Sequence, residues 1–227
     1  MDASSNRLET RVFGRDQSVS GLLRVTLAPT LATHLLMPDF ADFLRLHPEV
    51  EMEILSYEEP VNLTNREADV AIRVVYDRNA LPPNLHGLKG PELFGGVYMS
   101  RDLLAAWRAG EAGRIRWIVK KKWGVLDWAR AGEVGATEVP LRTTDDGAQI
   151  MAVRQGLGMT ALPCFVGDAD PLLARAPGAA LHMHGTLWLL TQGETRKTKR
   201  VRLFTEFVSR RLAAYVPLLA GLSASSD

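Results

Sequence analysis

GLLRVTLAPTLATHLLMPDFADFLRLHPEVEMEILS, residues 21–56, predicts a strand, a tight turn, a helix and a second strand. Residues 22–27 are apolar and rich in β-favouring types, and Pro29 ends the run because proline cannot continue a central ladder. Residues 50–55 alternate in the way of a half-buried strand. We expect a ligand at the turn between the first strand and the helix, where unpaired N–H groups and the helix dipole favour an anion. A capped turn without any ligand is the alternative.

The helix of this stretch is predicted to start near Thr30, a residue type that caps helices, and to carry an apolar stripe. Pro38 falls inside the pattern, so we expect a kink near Met37 or two helical pieces. The stripe is formed by Leu36, Phe40, Phe43, Leu44 and His47, and the opposite face by Asp39, Asp42 and Arg45.

A third strand is predicted over residues 68–76, and it contains Arg73 near its carboxyl end. An arginine in an apolar strand is not expected to be buried unpaired. Ligands of open α/β sheets bind outside the carboxyl ends of the strands, so Arg73 is either a ligand contact or half of a structural ion pair.

Residues 143–146, TTDD, predict the start of another helix, since threonine and aspartate favour helix N-termini. Its buried face is predicted to be Ile150, Val153 and Leu157, and a glycine, 156 or 158, ends it. An aspartate pair is also one ingredient of acid–base catalysis, but no nucleophile or metal-ligand spacing accompanies it. We therefore interpret the aspartates as caps.

Two blocks of this sequence resemble the effector-binding domain of LysR-type transcriptional regulators, over roughly residues 21–215. The first block comprises residues 21–25, 28–30, 36–38, Phe43, 47–50 and 69–73, and the second GLGMTALPCFVGD at 156–168, LWLL at 187–190 and the helix from residue 200. The sequence contains no counterpart of the family's N-terminal winged helix-turn-helix.

The resemblance implies an α/β fold of periplasmic-binding-protein type II architecture, with two Rossmann-like lobes and a ligand cleft between them. Lobe I is expected at residues 21–97 and 186–217, and lobe II at 98–185. Residues 1–20 then correspond to the remnant of a linker helix, and residues 218–227 to a frayed tail.

Carried over from the family, the effector contacts come from both lobes. Thr144 and Asp145 of lobe II are expected to face the lobe I contacts across the cleft. The lobe I contacts are Pro29, Thr30, Leu31, Ser56, Tyr57, Arg73 and Val75. The family commonly has a small polar residue in place of the acidic pair. Arg73 favours an acidic effector and the aspartates disfavour one, so the effector's class stays open.

Composition places the protein among ordinary globular proteins, with 46% hydrophobic residues and a net charge of +1. A nearly neutral chain has no overall positive potential that would attract nucleic acid, so contact with DNA requires a local basic patch or another domain. The basic stretch 114–123 interleaves tryptophans with lysine and arginine, a pattern that can bind single-stranded nucleic acid. We interpret it as a solvated strand end, and attraction of an anionic effector is the next interpretation. The one cysteine, Cys164, is expected to be a buried thiol in a reducing cytoplasm.

No cofactor and no metal is predicted, because His182 and His184 lack a third ligand. Phosphate-loop, GxSxG and HExxH motifs are absent from the sequence, so an enzyme is disfavoured. No apolar run is long enough for a signal peptide or a membrane span.

We therefore expect a cytoplasmic bacterial sensing domain that binds a small-molecule effector and forms a homo-oligomer, dimer or tetramer. It would reach DNA only through an N-terminal domain that this sequence lacks, and it would not contact a membrane. The alternative is a stand-alone cytosolic small-molecule-binding protein.

Overall fold

The structure, a computed structural model, describes residues 19–56, 68–76, 85–130, 132–193 and 195–222. The chain divides into two units. Unit 1 comprises Met1–Pro91 and Thr186–Ala214, and unit 2 comprises Glu92–Gly185 and Tyr215–Asp227. The chain passes between them at residues 91/92, 185/186 and 214/215, and the first crossing was expected at 97/98.

The elements alternate between strands and helices. The strands are β1 (Gly21–Leu27), β2 (Val50–Ser56), β3 (Val70–Val75), β4 (Leu85–Ser100), β5 (Ile118–Lys120), β6 (Leu141–Thr143), β7 (Met159–Pro163), β8 (Leu173–Arg175) and β9 (His182–Gln192). The helices are α1 (Pro29–Leu31), α2 (Met37–Leu46), α3 (Arg101–Arg108), α4 (Asp146–Arg154), α5 (Cys164–Gly167), α6 (Lys199–Ala214) and α7 (Val216–Leu219). A π-helical segment, Ala32–Leu36, and two short 3-10 segments, Asp127–Arg130 and Thr195–Lys197, complete the chain.

Unit 1 is built on a sheet in which β1 lies between β2 and β3, parallel to both, and β9 runs antiparallel to β3. The strand–helix–strand order of residues 21–56 requires the parallel β1–β2 pair, because a helical crossover returns the chain in the same direction. α2 and α6 pack against each other through an aromatic cluster: Phe204 of α6 lies 5.6 Å from Phe40 and 5.1 Å from Phe43 of α2, centroid to centroid. All three rings are buried and belong to the core of unit 1.

The predicted interruption at Pro38 is confirmed. Residues 29–46 are helical without a gap, but the helix changes type: Ala32–Leu36 is π-helical, and Pro38 lies in the first turn of α2. The N–H of Met37 donates to the carbonyl of Ala32, five residues earlier, and the next residue, Pro38, has no N–H to donate. The predicted cap was wrong: Ala28 is the N-cap of α1, and Thr30 lies inside that helix.

Two further expectations for unit 1 were wrong. Asp39 was placed on the solvent face, but it is buried and its carboxylate lies 3.1 Å from the Arg211 guanidinium of α6. Residues 77–90 are rich in turn-forming residue types and predict a turn region, but β4 already begins at Leu85. The sequence also predicts a short helix over residues 61–67, which lies outside the described residues.

In unit 2, β4 pairs antiparallel with β7 and β8, and β5 pairs parallel with β6. Buried side chains of the predicted strand 114–123, including Trp117 and Ile118, enter the core, although only Ile118–Lys120 is strand. Cys164 is fully buried, as predicted. Leu157 is 49% exposed and does not belong to the buried face of α4, which ends before it with Gly156 at a φ of 71°.

The chain after α6 is ordered into α7, and Leu219 is fully buried. The frayed tail expected from residue 218 therefore does not begin there. Among the described residues, no helix has the length and apolar character needed to cross a bilayer.

Candidate functional site

The side chain of Arg73 lies at the carboxyl end of the unit 1 sheet and is the main chemical feature there. β1 and β3 are aligned so that Leu27 is opposite Ile72, which puts Arg73 one residue beyond that level. One guanidinium nitrogen, Nη2, donates to the hydroxyl oxygen of Thr26 at 2.7 Å. Nη1 approaches its own neighbour's carbonyl, Ile72 O, at 3.5 Å, which is a weak contact.

No carboxylate balances this charge within the described residues. The structural ion pair weighed for Arg73 is therefore not found among them, and the hydroxyl of Thr26 takes its place. Arg73 is half-buried, and burial lowers the pKa of its guanidinium, since a charged group is less stable away from water. A half-buried cation with spare donors favours an anionic partner.

The surroundings of Arg73 are apolar. The antiparallel register places it opposite Trp188, and Ala71, two residues earlier on the same face, opposite Leu190. All three neighbours are buried. In such surroundings a hydrogen bond to a charged group is stronger than in water.

Thr26 was not predicted as a site residue, although it is fully buried. It is the polar member of the apolar run 22–27 and stands one residue from the end of β1. A threonine within an apolar run is the signal that the sequence offers, because a buried hydroxyl needs a hydrogen-bond partner. The partner itself, 47 positions away, could not be found from periodicity.

The residues of the first turn follow directly on β1. Pro29, Thr30 and Leu31 form α1, and the side chain of Leu31 is buried in the core. Leu31 could thus reach a ligand only through its backbone N–H. Thr30 is half-buried and, as a first-turn residue, also has a backbone N–H without an intrahelical acceptor.

Two other predicted residues lie at the same edge. Ser56 is exposed, ends β2 and is aligned with Leu27 of β1. Val75 ends β3 and is half-buried. Tyr57 lies outside the described residues. Unit 1 thus brings Pro29, Thr30, Ser56 and Arg73 to the carboxyl ends of three neighbouring strands.

Thr144 and Asp145 belong to unit 2, at the start of α4. Asp145 is the N-cap, and its carboxylate accepts a hydrogen bond from the backbone N–H of Ala148 at 2.6 Å. The next carboxylate, Asp146, lies 2.7 Å from the Lys120 ammonium. Both negative charges therefore have partners, in agreement with the capping interpretation. Their predicted meeting with the unit 1 residues across a cleft stays a prediction.

Unit 2 also holds a polar network that was not predicted. Asp168, whose side chain is 2% exposed, accepts hydrogen bonds from the Tyr98 hydroxyl at 2.8 Å and from the Arg175 guanidinium at 2.9 and 2.6 Å. Hydrogen bonds to Asp168 raise the pKa of Arg175, and burial raises the pKa of Tyr98. Every charge in this network has its partner.

The two histidines of β9 each contact a tryptophan ring. His182 stacks on Trp128 at 5.0 Å, and His184 lies 5.9 Å from Trp123, between centroids. No group of three or more metal-ligating side chains occurs in the part of the chain that the structure describes.

The comparisons with known proteins agree on one family. Residues 16–213 match the family model described as LysR substrate binding domain. The HTH-type transcriptional regulator CrgA of Neisseria meningitidis serogroup C (strain 8013) is 24% identical over 224 residues, covering 90% of this chain and 71% of CrgA. The uncharacterized HTH-type transcriptional regulator YhjC of Escherichia coli (strain K12) is 41% identical over 56 residues, which are 25% of this chain and 19% of YhjC.

Solved structures show the same fold. The regulatory domain of CrgA from Neisseria meningitidis superposes with a TM-score of 0.68 at 18% identity, covering 85% of this chain and 99% of that domain. The effector domain of the transcriptional regulator AmpR of Pseudomonas aeruginosa gives a TM-score of 0.65 at 19% identity, covering 86% and 98%. The predicted periplasmic-binding-protein type II fold is confirmed.

Proposed function

The chain belongs to the LysR substrate-binding domain family, and from this we propose that it senses a small-molecule effector whose anionic group binds Arg73. The observation that carries the proposal is the guanidinium of Arg73, held by Thr26 at 2.7 Å and without a carboxylate among the described residues. A ligand carboxylate would supply the missing charge and accept two parallel N–H bonds, the geometry that arginine favours.

The partners of the two aspartates favour an acidic effector. From residue types alone, Asp145 and Asp146 opposed a negative ligand. The carboxylate of Asp145 is committed to the cap of α4, and that of Asp146 to Lys120. An aspartate that is paired with a lysine, or that lies at the positive end of a helix dipole, repels an incoming anion less than an isolated one. The guanidinium of Arg73, by contrast, still has donors to offer.

Thr30, Pro29 and Ser56 are proposed to surround the rest of the effector, with Leu31 contributing its N–H and Tyr57 and Val75 as further contacts. Thr144 and Asp145 are proposed as contacts from unit 2. Effector binding can act as a signal only if it favours one conformation or assembly of the protein over another. We propose that the signal passes through a cytoplasmic homo-oligomer to a DNA-binding domain, as in a transcriptional regulator, and that no catalysis is involved.

The experiment is a thermal-shift screen of the purified chain against small carboxylic acids, each paired with its neutral amide. We expect at least one acid to raise the melting temperature while its amide does not, because the amide cannot neutralise Arg73. Amides that stabilise the protein as well as their acids would contradict anion recognition. Consumption of a stabilising acid during prolonged incubation would contradict the non-enzymatic part of the proposal.

The regulatory part has a separate test. An immunoblot of source cells with an antibody against this chain is expected to detect a band heavier by a winged helix-turn-helix and linker helix. A band at the size of this chain would favour the stand-alone binding protein.

A further inference from the structure

The segment before α6 and the first turn of that helix form a concentrated basic cluster. Five of the seven residues from 196 to 202 are lysine or arginine; they are Arg196, Lys197, Lys199, Arg200 and Arg202. We call them the 196–202 cluster. Arg196, Lys197 and Arg202 are exposed, and Lys199 and Arg200 are half-buried. Lys199 and Arg202, three positions apart, share a helix face opposite the buried Val201 and Phe204.

Four of the five charges of this cluster lack carboxylate partners within the part of the chain that the structure describes. Within the described residues, none of Arg196, Lys199, Arg200 and Arg202 forms an ion pair, and the Nε of Arg200 is buried without a hydrogen-bond acceptor. At the other end of the same helix, Arg211 pairs with both Asp39 and Asp42. The lack of partners is therefore a local property of the start of α6.

The cluster does not stabilise its own helix. Cations at a helix N-terminus oppose the macrodipole, and the first turn of α6 contains no acidic residue. Neighbouring like charges also repel one another. An arrangement that is unfavourable within the isolated protein becomes favourable when an external anion neutralises it.

The distance over which the cations extend favours a polyanion with repeated phosphates. From residue 196 to 202, through the 3-10 segment and the first turn of α6, the cations extend over about 10 Å at helical rise, further than one small anion reaches. A membrane surface fits less well, because a helix that binds lipid also presents large apolar side chains. Among the described residues of 195–214, no large hydrophobic side chain is exposed.

We infer that the 196–202 cluster contacts the phosphate backbone of duplex DNA. The protein has a net charge of only +1, so such a contact must come from a local patch of this kind. The contact is independent of sequence and of the effector site at Arg73. It adds to the affinity of any dedicated DNA-binding domain without reading bases.

The test is a fluorescence anisotropy titration of a labelled random-sequence duplex with the 227-residue chain at salt concentrations between about 50 and 200 mM. The variant is Arg196→Glu/Lys199→Glu/Arg202→Glu. Glutamate at the start of α6 agrees with the helix dipole, so this variant is expected to fold. The matched control is Arg116→Glu/Lys121→Glu/Lys122→Glu, which makes the same change of net charge at exposed residues of unit 2.

We expect weak, salt-sensitive binding by the wild type and by the control. The 196–202 variant is expected to lose at least tenfold in affinity at the lowest salt, and its plot of log affinity against log salt to be flatter by about 2–3, for three lost phosphate contacts. Equal losses in both variants, or no duplex binding by the wild type, would overturn the inference. Binding of the wild type to phosphatidylserine vesicles but not to duplex would overturn it as well.

Discussion

Two arginines, one in each unit, show that the same side chain can either stabilise a fold or be available to bind a ligand. Arg175 of unit 2 donates twice to the carboxylate of Asp168, which also holds the Tyr98 hydroxyl, and it donates to the carbonyl of Gly221 at 2.6 Å. Arg73 of unit 1 has only the hydroxyl of Thr26 at short distance among the described residues. Both arginines are half-buried, but no carboxylate among the described residues neutralises Arg73.

The pKa values of the two side chains shift in opposite directions for this reason. Hydrogen bonds to Asp168 raise the pKa of Arg175, whereas burial lowers the pKa of Arg73. A guanidinium with matched carboxylate oxygens is a structural element, since nothing further can bind to it without loss. A guanidinium that lacks them is the better place to look for a ligand.

The largest expected effect is on the network of unit 2. Asp168→Asn removes the charge that balances Arg175 while keeping the side chain's size, and breaking a buried pair in this way costs about 3–5 kcal/mol. Urea unfolding followed by circular dichroism should show the midpoint fall accordingly. The control is Glu138→Gln, which breaks the exposed pair with Arg114 and should cost no more than about 1 kcal/mol. Equal small losses in both variants would mean that the network of Asp168 is not structural.

A second change tests the packing around Tyr98. A Cβ at Gly167 would come within 2.3 Å of the Tyr98 ring, which is itself buried. Gly167→Ala should therefore destabilise the protein by about 1–3 kcal/mol, because the ring or the backbone must shift. Gly113→Ala, where a Cβ would meet nothing within 4 Å, is the control in the same urea experiment. An unchanged midpoint for Gly167→Ala would show that the ring moves freely, against a rigid network.

For Arg73 we expect a much smaller effect on stability. Arg73→Met removes one hydrogen bond to Thr26, worth about 1 kcal/mol, but also relieves the burial of an unneutralised charge. The urea midpoint should stay within about 1 kcal/mol of the wild type after conversion to free energy. A loss as large as that of Asp168→Asn would place Arg73 among the structural arginines and remove the basis of the proposed site.

The smallest effect concerns His184, a third half-buried group that can become charged. Burial, and then the charge of His182, lower the pKa of His184. Below about pH 6.5 the unfolded chain therefore takes up this proton before the folded protein does, and stability is lost as the pH falls. In His184→Gln, the decline in urea midpoint between about pH 7 and pH 5 should be shallower than in the wild type. A decline of the same slope would show that His184 does not contribute.

The backbone of unit 1 was largely predictable from the sequence because its signals are local. The apolar run of β1, the stop at Pro29 and the break at Pro38 each act within a few residues, and the structure has strand, helix and interruption at those places. The caps were less predictable. Thr30 and Ala28 lie two positions apart, and only the backbone angles decide which of them precedes the first helical residue.

The partners of charged side chains could not be predicted, because they come from distant parts of the chain. Asp39 is polar and was assigned to solvent, yet tertiary packing brings it to Arg211. The carboxylate of Asp168 meets Tyr98, 70 positions earlier, and Thr26 meets Arg73 across 47 positions. Periodicity assigns a side chain to a face of its own element and contains no information about what covers that face.

The contrast between the two arginines is tested most directly by isothermal titration calorimetry with an acid that stabilises the wild type. Arg73→Gln removes the unneutralised guanidinium, and Arg24→Gln is the matched control, since Arg24 belongs to the same sheet and is paired with Glu53 at 2.7 Å. The account predicts at least a tenfold loss of affinity for Arg73→Gln, about 1.4 kcal/mol, and an unchanged affinity for Arg24→Gln. Unchanged affinity in Arg73→Gln would contradict it.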